Sequence, residues 1–246
     1  MTIIISMAGL SQRFIKEGFT LPKYMLYAGN KSLFNLAISS FSAYFKDTKF
    51  LFIARELYDT KQFIKEECQL MGIDNFEVVI LHKPTQGQAE TVYLGLKNST
   101  IDSETPISIF NIDTFRPGFK FPSQIGFWDG YLEVFKGDGA NWSYAKTESE
   151  NSTKVLETAE KVEISNNCST GLYYFKSANL FYQAFENRNP IDSTSKIKEL
   201  YVAPLYNRLI QVGKEIHINI INRDEVLFCG VPSEYYDYLK KEVTKY

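Results

Sequence analysis

The feature that most constrains the fold is a short apolar run near the start of the chain, followed directly by a turn of small residues. Thr2–Ile5 is rich in β-branched residues and too short for a helix, which favours a strand buried on both faces. It leads into Met7–Gly9, where the backbone can approach another molecule closely, and Arg13, Lys16 and Lys23 follow. This arrangement is typical of a phosphate-binding loop, because backbone N–H groups point outward and the cations balance charge.

Composition narrows the class of protein. The chain has 246 residues, 44% apolar and 23% charged, as expected of an ordinary globular domain. Its net charge of −2 and the lack of a Lys/Arg block argue against a nucleic-acid or anionic-membrane partner. Cys68, Cys168 and Cys229 lack metal-ligand spacing and are interpreted as reduced thiols. With no signal peptide or membrane span in the pattern, we expect a cytoplasmic protein.

Apolar periodicity predicts alternating strands and helices in the first half and a different rhythm after Pro117. The alternation favours a mostly parallel sheet with helices on both faces. After Pro117, aromatic strands interrupted by Gly and Pro favour antiparallel pairing. The predicted strands are 2–5, 49–54, 76–81, 105–112, 131–135, 142–146, 155–156, 170–175, 215–221 and 226–229. The predicted helices are 33–45, 58–71, 87–97, 177–186, 194–212 and 233–241.

Two common phosphate loops are excluded, because neither Gly-x-x-x-x-Gly-Lys-Ser/Thr nor Gly-x-Gly-x-x-Gly occurs. The observed pattern resembles the Met-Ala-Gly-x-Gly-x-Arg-Phe loop, then Pro-Lys, of the nucleotidyltransferases with a GT-A-type Rossmann-like fold. These are the sugar-1-phosphate nucleotidylyltransferases and their relatives. Ser11 stands where the second Gly is usual, a mild departure unless that position needs a positive φ. The matching residues are Met7, Ala8, Gly9, Arg13, Phe14, Pro22 and Lys23.

The resemblance implies an α/β fold with a mostly parallel central sheet flanked by helices, and a smaller antiparallel sheet on the acceptor side. It also implies a single nucleotidyltransferase domain over residues 1–246. Residues 1–116 would form the nucleotide-binding half, and residues 117–246 the acceptor-binding half. Met7, Ala8, Gly9 and Ser11 would then bind nucleotide.

A second motif, Thr85–Thr91, lies between a predicted strand and its helix. Ligands of open α/β sheets sit beyond the carboxyl ends of the strands, so this loop should converge with the first. By resemblance, Thr85, Gln86 and Gly87 contact the nucleobase. Taken alone, the segment is equally typical of a helix start.

Asp113 closes the predicted strand 105–112. An Asp at this place is a natural Mg²⁺ ligand beside bound phosphates, although Asp also ends strands by starting turns. The family has an Asp here, so the resemblance favours Asp113 as the metal ligand and Mg²⁺ as the cofactor.

Glu160-Lys161 and the segment 168–175 resemble the family's Glu-Lys-Pro followed by Asn-x-Gly-x-Tyr-x-Phe. The resemblance implies that Lys161 and Gly171 bind the acceptor. Ser169 stands where Asn, which often contacts a sugar, is common, and this argues against a sugar acceptor. Without the resemblance, Glu160-Lys161 is more typical of a solvated charge pair.

The family's second acidic metal ligand falls on Phe228. Asp224 is four residues away, at about 3.3 Å per residue of strand, and is too distant to replace it simply. Either another acidic residue serves, or Asp113, the triphosphate and water hold the metal.

The reaction implied is attack by a phosphate oxygen of the acceptor on the α-phosphorus of a nucleoside triphosphate, with release of pyrophosphate. Arg13 would hold the leaving phosphates and Lys23 would neutralise the α-phosphoryl group. The nearest resemblance within the family is to capsule-locus cytidylyltransferases. It implies CTP as donor and phosphoglutamine as acceptor, for phosphoramidate modification of a capsule.

Three alternatives stay open. One is a sugar-1-phosphate nucleotidylyltransferase that uses CTP, UTP or dTTP. Another is a GT-A-type glycosyltransferase, although Asn111-Ile112-Asp113 lacks the usual Asp-x-Asp. The third, motivated by Phe228, is a catalytically weak nucleotide-binding protein. The oligomeric state is also open, a homo-oligomer included.

Overall fold

A computed structural model describes residues 1–188 and 199–243. Nine strands form one sheet in the order β10-β9-β11-β6-β1-β4-β5, with β8 paired to β11 and β12 paired to β8. The strands are β1 (Thr2–Ser6), β2 (Tyr27–Ala28), β3 (Lys31–Ser32), β4 (Lys49–Arg55), β5 (Phe76–Leu81), β6 (Ile107–Asn111), β7 (Thr114–Phe115), β8 (Gly130–Lys136), β9 (Ser143–Thr147), β10 (Val155–Glu160), β11 (Asn167–Phe175), β12 (Ile216–Ile221) and β13 (Leu227–Phe228).

Seven α-helices accompany these strands in the described part of the chain: α1 (Gln12–Lys16), α2 (Leu33–Ile38), α3 (Thr60–Met71), α4 (Gln88–Lys97), α5 (Ala178–Glu186), α6 (Tyr206–Gln211) and α7 (Pro232–Val243). Short 3₁₀ turns lie at Lys23–Met25, Ser39–Tyr44, Ile125–Phe127, Ala203–Leu205 and Arg223–Glu225.

The central strands are parallel: β1 pairs with β4 and β6, and β4 pairs with β5. Their carboxyl ends therefore lie along one side of the sheet, which we call the carboxyl edge. Antiparallel strands continue the same sheet, because β11 pairs with β6, β8 and β9. Small two-stranded antiparallel sheets are formed by β2 with β3 and by β7 with β13. The predicted fold class, α/β with a mostly parallel central sheet and antiparallel strands beside it, is confirmed.

The core has a layer on each face of the sheet, and β1 contributes to both. Ile4 packs on one face with α4, α5 and α6, whereas Ile3 and Ile5 pack on the other with α2 and α3. All three side chains are fully buried. The prediction of a first strand buried on both faces is therefore correct.

Two predicted helices differ from the structure. The helix predicted at 33–45 begins with its Ser32 cap, which accepts the N–H of Asn35, but it ends at Ile38 and continues as a 3₁₀ turn. Of the helix predicted at 194–212, residues 194–198 lie outside the described residues, and α6 begins only at Tyr206. The backbone of Leu200 is instead engaged by the start of α4, through the Ala89 N–H and the Gln86 carbonyl.

The three cysteines are buried free thiols. Among the described residues, no helix combines the length and the apolar character needed to cross a bilayer.

Candidate active site

The loop that follows β1 lies at the carboxyl edge. Met7 and Ala8 are buried, whereas Gly9 and Leu10 are exposed. Within the described residues, the N–H groups of Gly9 and Leu10 meet no protein acceptor. The loop thus offers backbone donors to solvent, as an anion-binding loop requires.

Ser11 fixes the end of this loop. It adopts φ 49° and ψ 30°, a left-handed conformation that favours glycine, so its position does need a positive φ. Its side-chain Oγ accepts the backbone N–H of Lys23 at 3.2 Å. The hydroxyl therefore ties the first loop to the Pro22-Lys23 turn, a contact that glycine cannot make.

Lys23 and Asp113 form the charged centre of the candidate site. The Lys23 Nζ lies 2.5 Å from Asp113 Oδ2, and the two side chains are 22% and 23% exposed. The Asp113 carbonyl accepts the N–H of Cys229 at 2.7 Å, which holds the Asp113 turn against the chain after β13. The structure therefore brings Asp113 together with Ser11 and Lys23, which belong to a different motif.

Arg13 lies on the first turn of α1 and is exposed. It borders an open groove between α1 and α7, together with Lys16, Ser233 and Tyr236. Among the described residues, no hydrogen bond or ion pair engages its side chain, which can therefore meet an anion at the end of the first loop.

Glu234 supplies a second carboxylate near Asp113, and the sequence did not predict this. Its Oε2 accepts the N–H groups of Gly230 and Val231 at the start of α7. A Cβ on residue 230 would lie 3.0 Å from Asp113 Oδ2 and 3.7 Å from Glu234 Oε2, so one small residue separates the carboxylates. Within the described residues, no three His, Cys, Asp or Glu side chains converge as a metal cluster.

Phe228 occupies an aromatic cluster. Its ring centre lies 4.8 Å from that of Trp142 and 5.8 Å from that of Phe135, and the Arg223 guanidinium lies 5.0 Å away. Glu225 does not replace a missing acid at this position, because its carboxylate pairs with Arg116 at 3.3 Å. Position 228 is therefore apolar and well packed.

The loop before α4 is fixed by the distant Leu200. The Leu200 N–H bonds the Gln86 carbonyl at 2.8 Å, and its carbonyl accepts the Ala89 N–H at 2.9 Å. Gly87 has φ +148°, and a Cβ there would lie 2.5 Å from the Leu200 carbonyl oxygen, so only glycine permits this approach. The Thr85 hydroxyl is 2.7 Å from that of Thr91. These contacts hold the loop to the chain around Leu200, and the Gln86 side chain remains exposed.

Three further polar residues meet beside this loop and were missed by the motif analysis. Gln88 Nε2 donates to Asn111 Oδ1 at 2.6 Å and to Ser6 Oγ at 3.0 Å. Gly171 lies against Asn111, because a Cβ on residue 171 would lie 2.2 Å from Asn111 Nδ2. Ser6 and Asn111 are register partners at the ends of β1 and β6. The sequence could have indicated this contact, because the two neighbouring strands both end in a polar residue.

Lys161 is exposed and held by Tyr201. It has φ 56°, its Nζ donates to the Tyr201 hydroxyl at 2.5 Å, and the ammonium lies 4.7 Å from the ring centre. Burial and the Glu199 carboxylate raise the pKa of Tyr201, whereas the Arg13 guanidinium acts in the opposite direction. Lys161 contacts none of the other predicted site residues in the described chain.

Glu160 is not solvated, so the interpretation of Glu160-Lys161 as a solvated charge pair is wrong for its first member. The residue is 7% exposed, and its carboxylate accepts a hydrogen bond from the Ser143 hydroxyl. Burial raises the pKa of Glu160 above its usual value.

Comparisons with protein-family models and with curated proteins give no match. Among solved structures, the nucleoside-diphosphate-sugar pyrophosphorylase from Vibrio cholerae RC9 is 50% identical, with a TM-score of 0.92, over 98% of this chain and all of its own. The inositol-1-phosphate CTP transferase from T. maritima is 15% identical, with a TM-score of 0.72, over 98% of this chain and 95% of its own. A UDP-glucose pyrophosphorylase complexed with UDP-glucose is 14% identical, with a TM-score of 0.74, over 100% of this chain and 99% of its own.

The two distant structures share the fold. The identity of 50% over nearly the whole of both chains shows more than a shared fold. The chain belongs to the nucleotidyltransferase family that includes this nucleoside-diphosphate-sugar pyrophosphorylase.

Proposed function

We propose that this protein transfers a CMP group from CTP to a phosphorylated small-molecule acceptor, with phosphoglutamine as the favoured acceptor and pyrophosphate as the second product. The observation that carries the proposal is the Lys23–Asp113 pair, which lies beside a loop with free N–H groups. A cation, a carboxylate and backbone donors at one place suit a triphosphate.

In the proposed reaction, a phosphate oxygen of the acceptor attacks the α-phosphorus and forms a new P–O bond. The bond from the α-phosphorus to the bridging oxygen breaks, and pyrophosphate leaves with that electron pair. The acceptor phosphate is already ionised at neutral pH, so no general base is needed. Catalysis then rests on alignment and charge neutralisation.

Each predicted residue has a role in this scheme. Arg13 and the backbone of Ala8, Gly9 and Ser11 would hold the leaving phosphates, and Lys23 would neutralise the α-phosphoryl group. The Met7 N–H already donates to the Ile53 carbonyl at 2.8 Å, so Met7 would position this loop and not donate to a phosphate. Thr85, Gln86 and Gly87 would contact the base, while Lys161 and Gly171 would bind the acceptor. The nucleotide would occupy mainly residues 1–116 and the acceptor residues 117–246 of one domain, with Leu200 bracing the base loop across that boundary.

The carboxylates fit a Mg²⁺ ion, which takes oxygen ligands and few of them from protein when phosphates are present. Asp113 would hold the ion, with Glu234 as a second carboxylate on the other side of Gly230. When bound, Mg²⁺ would neutralise charge on the triphosphate.

A second candidate is a sugar-1-phosphate nucleotidylyltransferase, which the 50% identity to a nucleoside-diphosphate-sugar pyrophosphorylase favours. Against it stands Ser169, whose hydroxyl bonds the Gly171 N–H at 3.1 Å and is thereby engaged within β11. The two candidates share the nucleotide half of the site and differ in the acceptor.

Pyrophosphate release in the presence of Mg²⁺ tests both candidates. Five nucleoside triphosphates (CTP, UTP, dTTP, ATP and GTP) are each assayed against phosphoglutamine and several hexose-1-phosphates. Release confined to CTP with phosphoglutamine supports the proposal, and release with a hexose-1-phosphate supports the second candidate. Nucleotide binding without release from any acceptor contradicts both and favours a catalytically weak nucleotide-binding protein.

A further inference from the structure

An amide pair lies at the carboxyl edge between the loops described above. Gln88 begins α4, Asn111 ends β6, and Gln88 Nε2 donates to Asn111 Oδ1 at 2.6 Å. The same nitrogen donates to Ser6 Oγ at 3.0 Å. Both donors of the Gln88 amide are therefore used, so the Gln88 and Asn111 side chains hold each other in place.

The fold makes room for this pair at Gly171. That residue has φ +89°, and a Cβ on it would lie 2.2 Å from Asn111 Nδ2 and 2.7 Å from Asn111 Cγ. The pairing of β11 with β8 is irregular between Ser169 and Tyr173, where a bulge bends the strand. A glycine at this bulge lets the Asn111 amide lie directly on the β11 backbone.

The pair keeps unused hydrogen-bonding groups. Gln88 Oε1 and Asn111 Nδ2 have no protein partner among the described residues, and both side chains are half-buried. Rotating both amides by 180° would preserve their mutual bond and again leave one donor and one acceptor. The pair can therefore both donate to and accept from a ligand.

The position of the pair relates it to the acceptor. Asn111 lies two residues before Asp113, the proposed metal ligand, and rests on Gly171, a proposed acceptor residue. The proposed base loop has a polar side chain of its own, the exposed Gln86 amide. A ligand group that reaches Asn111 therefore lies between the proposed metal ligand and β11.

We propose that Gln88 and Asn111 determine acceptor specificity, by hydrogen bonding to N–H, O–H and oxygen groups next to the acceptor's phosphate. Acceptors that are apolar at that position leave the two amides unpaired and are disfavoured. This inference rests on the proposed function, of which it specifies the acceptor class.

The test replaces each amide by an apolar side chain of similar size, in Gln88→Leu, Asn111→Leu and the double variant. Gln62→Leu is the matched control, because Gln62 is an exposed amide on α3 that bonds only Glu66 among the described residues. Steady-state kinetics vary CTP and the acceptor separately. The acceptors are phosphoglutamine, glucose-1-phosphate and phosphocholine, whose carbon next to the phosphate bears no hydrogen-bonding group.

The double variant is expected to lose roughly 10- to 100-fold in kcat/KM for the better polar acceptor, because two hydrogen bonds are removed. The KM for CTP should stay within about twofold of the wild type. The preference for the polar acceptor over phosphocholine should fall by the same factor as kcat/KM. Unchanged acceptor kinetics, or a loss confined to the KM for CTP, would overturn the inference.

Calorimetric titration separates this inference from the proposed function. CTP and phosphoglutamine or glucose-1-phosphate are titrated singly into wild type and variants whose melting temperatures match. If the wild type turns over no acceptor, the proposed function fails, while weaker binding of the polar acceptor to the variants still supports the inference. Equal binding of that acceptor by wild type and variants contradicts the inference, even if turnover is observed.

Discussion

The parallel strands and the antiparallel strands bring polar groups to the carboxyl edge by different means. After β1, the loop provides N–H groups and a short turn, and Asp113 directly follows β6. On the antiparallel side, Lys161 at the end of β10 is placed by Tyr201, which is 40 residues away. The Asn111 side chain lies against Gly171 in β11 and occupies the space that a Cβ on residue 171 would need.

This difference separates two tasks within one site. In the proposed function, backbone donors and one ion pair would recognise the triphosphate, whose charge is common to every nucleoside triphosphate. Side chains that depend on distant partners recognise the variable portion of a ligand, because a single substitution changes their hydrogen-bonding pattern. We therefore expect substitutions on the parallel side to affect turnover of all substrates, and those on the antiparallel side to affect the choice of acceptor.

The largest effect is expected for Lys23→Ala. Loss of the ammonium removes a charge that the developing transition state needs, and turnover should fall by about 1,000-fold or more with every acceptor. The melting temperature should change little, because the side chain is partly exposed and its main partner is one carboxylate. Pyrophosphate release and thermal denaturation measure the two quantities.

Lys65→Ala is the matched control, since Lys65 is an exposed lysine on α3, away from the carboxyl edge. Near wild-type turnover in Lys23→Ala would contradict the assigned role. A loss that depended on the acceptor would instead contradict the division between the two sides.

Asp113→Asn should reduce turnover by roughly 100-fold, again for all acceptors. The amide keeps one oxygen but loses the negative charge that attracts a cation. It also leaves the Lys23 ammonium without its partner at 2.5 Å. A titration with Mg²⁺ should restore part of the activity, and full restoration or complete insensitivity to Mg²⁺ would argue against Asp113 as the ligand.

Sequence patterns predict the parallel part of the fold closely because each strand there is a short continuous apolar run. The predicted strands 49–54 and 76–81 agree with β4 and β5 to within one residue. The predicted helix 58–71 starts two residues early, because Tyr58 and Asp59 both have positive φ. Gly72 ends α3 with φ 71°.

The same patterns predict much less of the candidate site's tertiary contacts. The sequence places Asp113 at the end of a strand, but it does not show that Glu234 reaches the same point from α7. It does not show the Gln88–Asn111 contact either, because 23 residues separate the two and their meeting depends on the packing of α4 on the strands. Glu160 looks solvated in sequence, and only the packing of β9 and β10 buries it.

A smaller and more selective effect is expected for Gly171→Ala. The left-handed φ of +89° and the clash with Asn111 should destabilise the protein by roughly 1–3 kcal/mol. Displacement of the Asn111 amide should also raise the acceptor KM while leaving that for CTP nearly unchanged. Urea denaturation and steady-state kinetics measure these two effects.

Gly72→Ala separates strain from displacement, because Gly72 has φ +71° and a Cβ there meets nothing within 4 Å. The Gly72→Ala variant should lose stability only through strain at its positive φ, and its acceptor kinetics should match those of the wild type. If Gly171→Ala changes stability by no more than this control and leaves the acceptor KM unaltered, the Asn111 contact does not shape the acceptor side.

The smallest effect concerns pH, and it is expected on the antiparallel side. Glu133 on β8 is fully buried, and burial raises its pKa above the usual 4.5 although the Arg116 guanidinium lies 3.0 Å away. The folded protein therefore keeps this proton to a higher pH than the unfolded chain does. Above about pH 4.5 the unfolded state loses the proton first, so the contribution of Glu133 to stability falls as pH rises toward its folded pKa.

Glu133→Gln removes this contribution while keeping an oxygen that can accept from Arg116 and Thr170. We expect the difference in unfolding free energy, wild type minus variant, to be smaller at pH 7 than at pH 4.5 in urea titrations. Glu160→Gln should change in the same direction, since burial also raises the pKa of Glu160. If the difference in unfolding free energy for Glu133→Gln instead grows with pH, the Arg116 guanidinium outweighs burial in setting the pKa of Glu133. The antiparallel side would then not be the origin of this pH dependence.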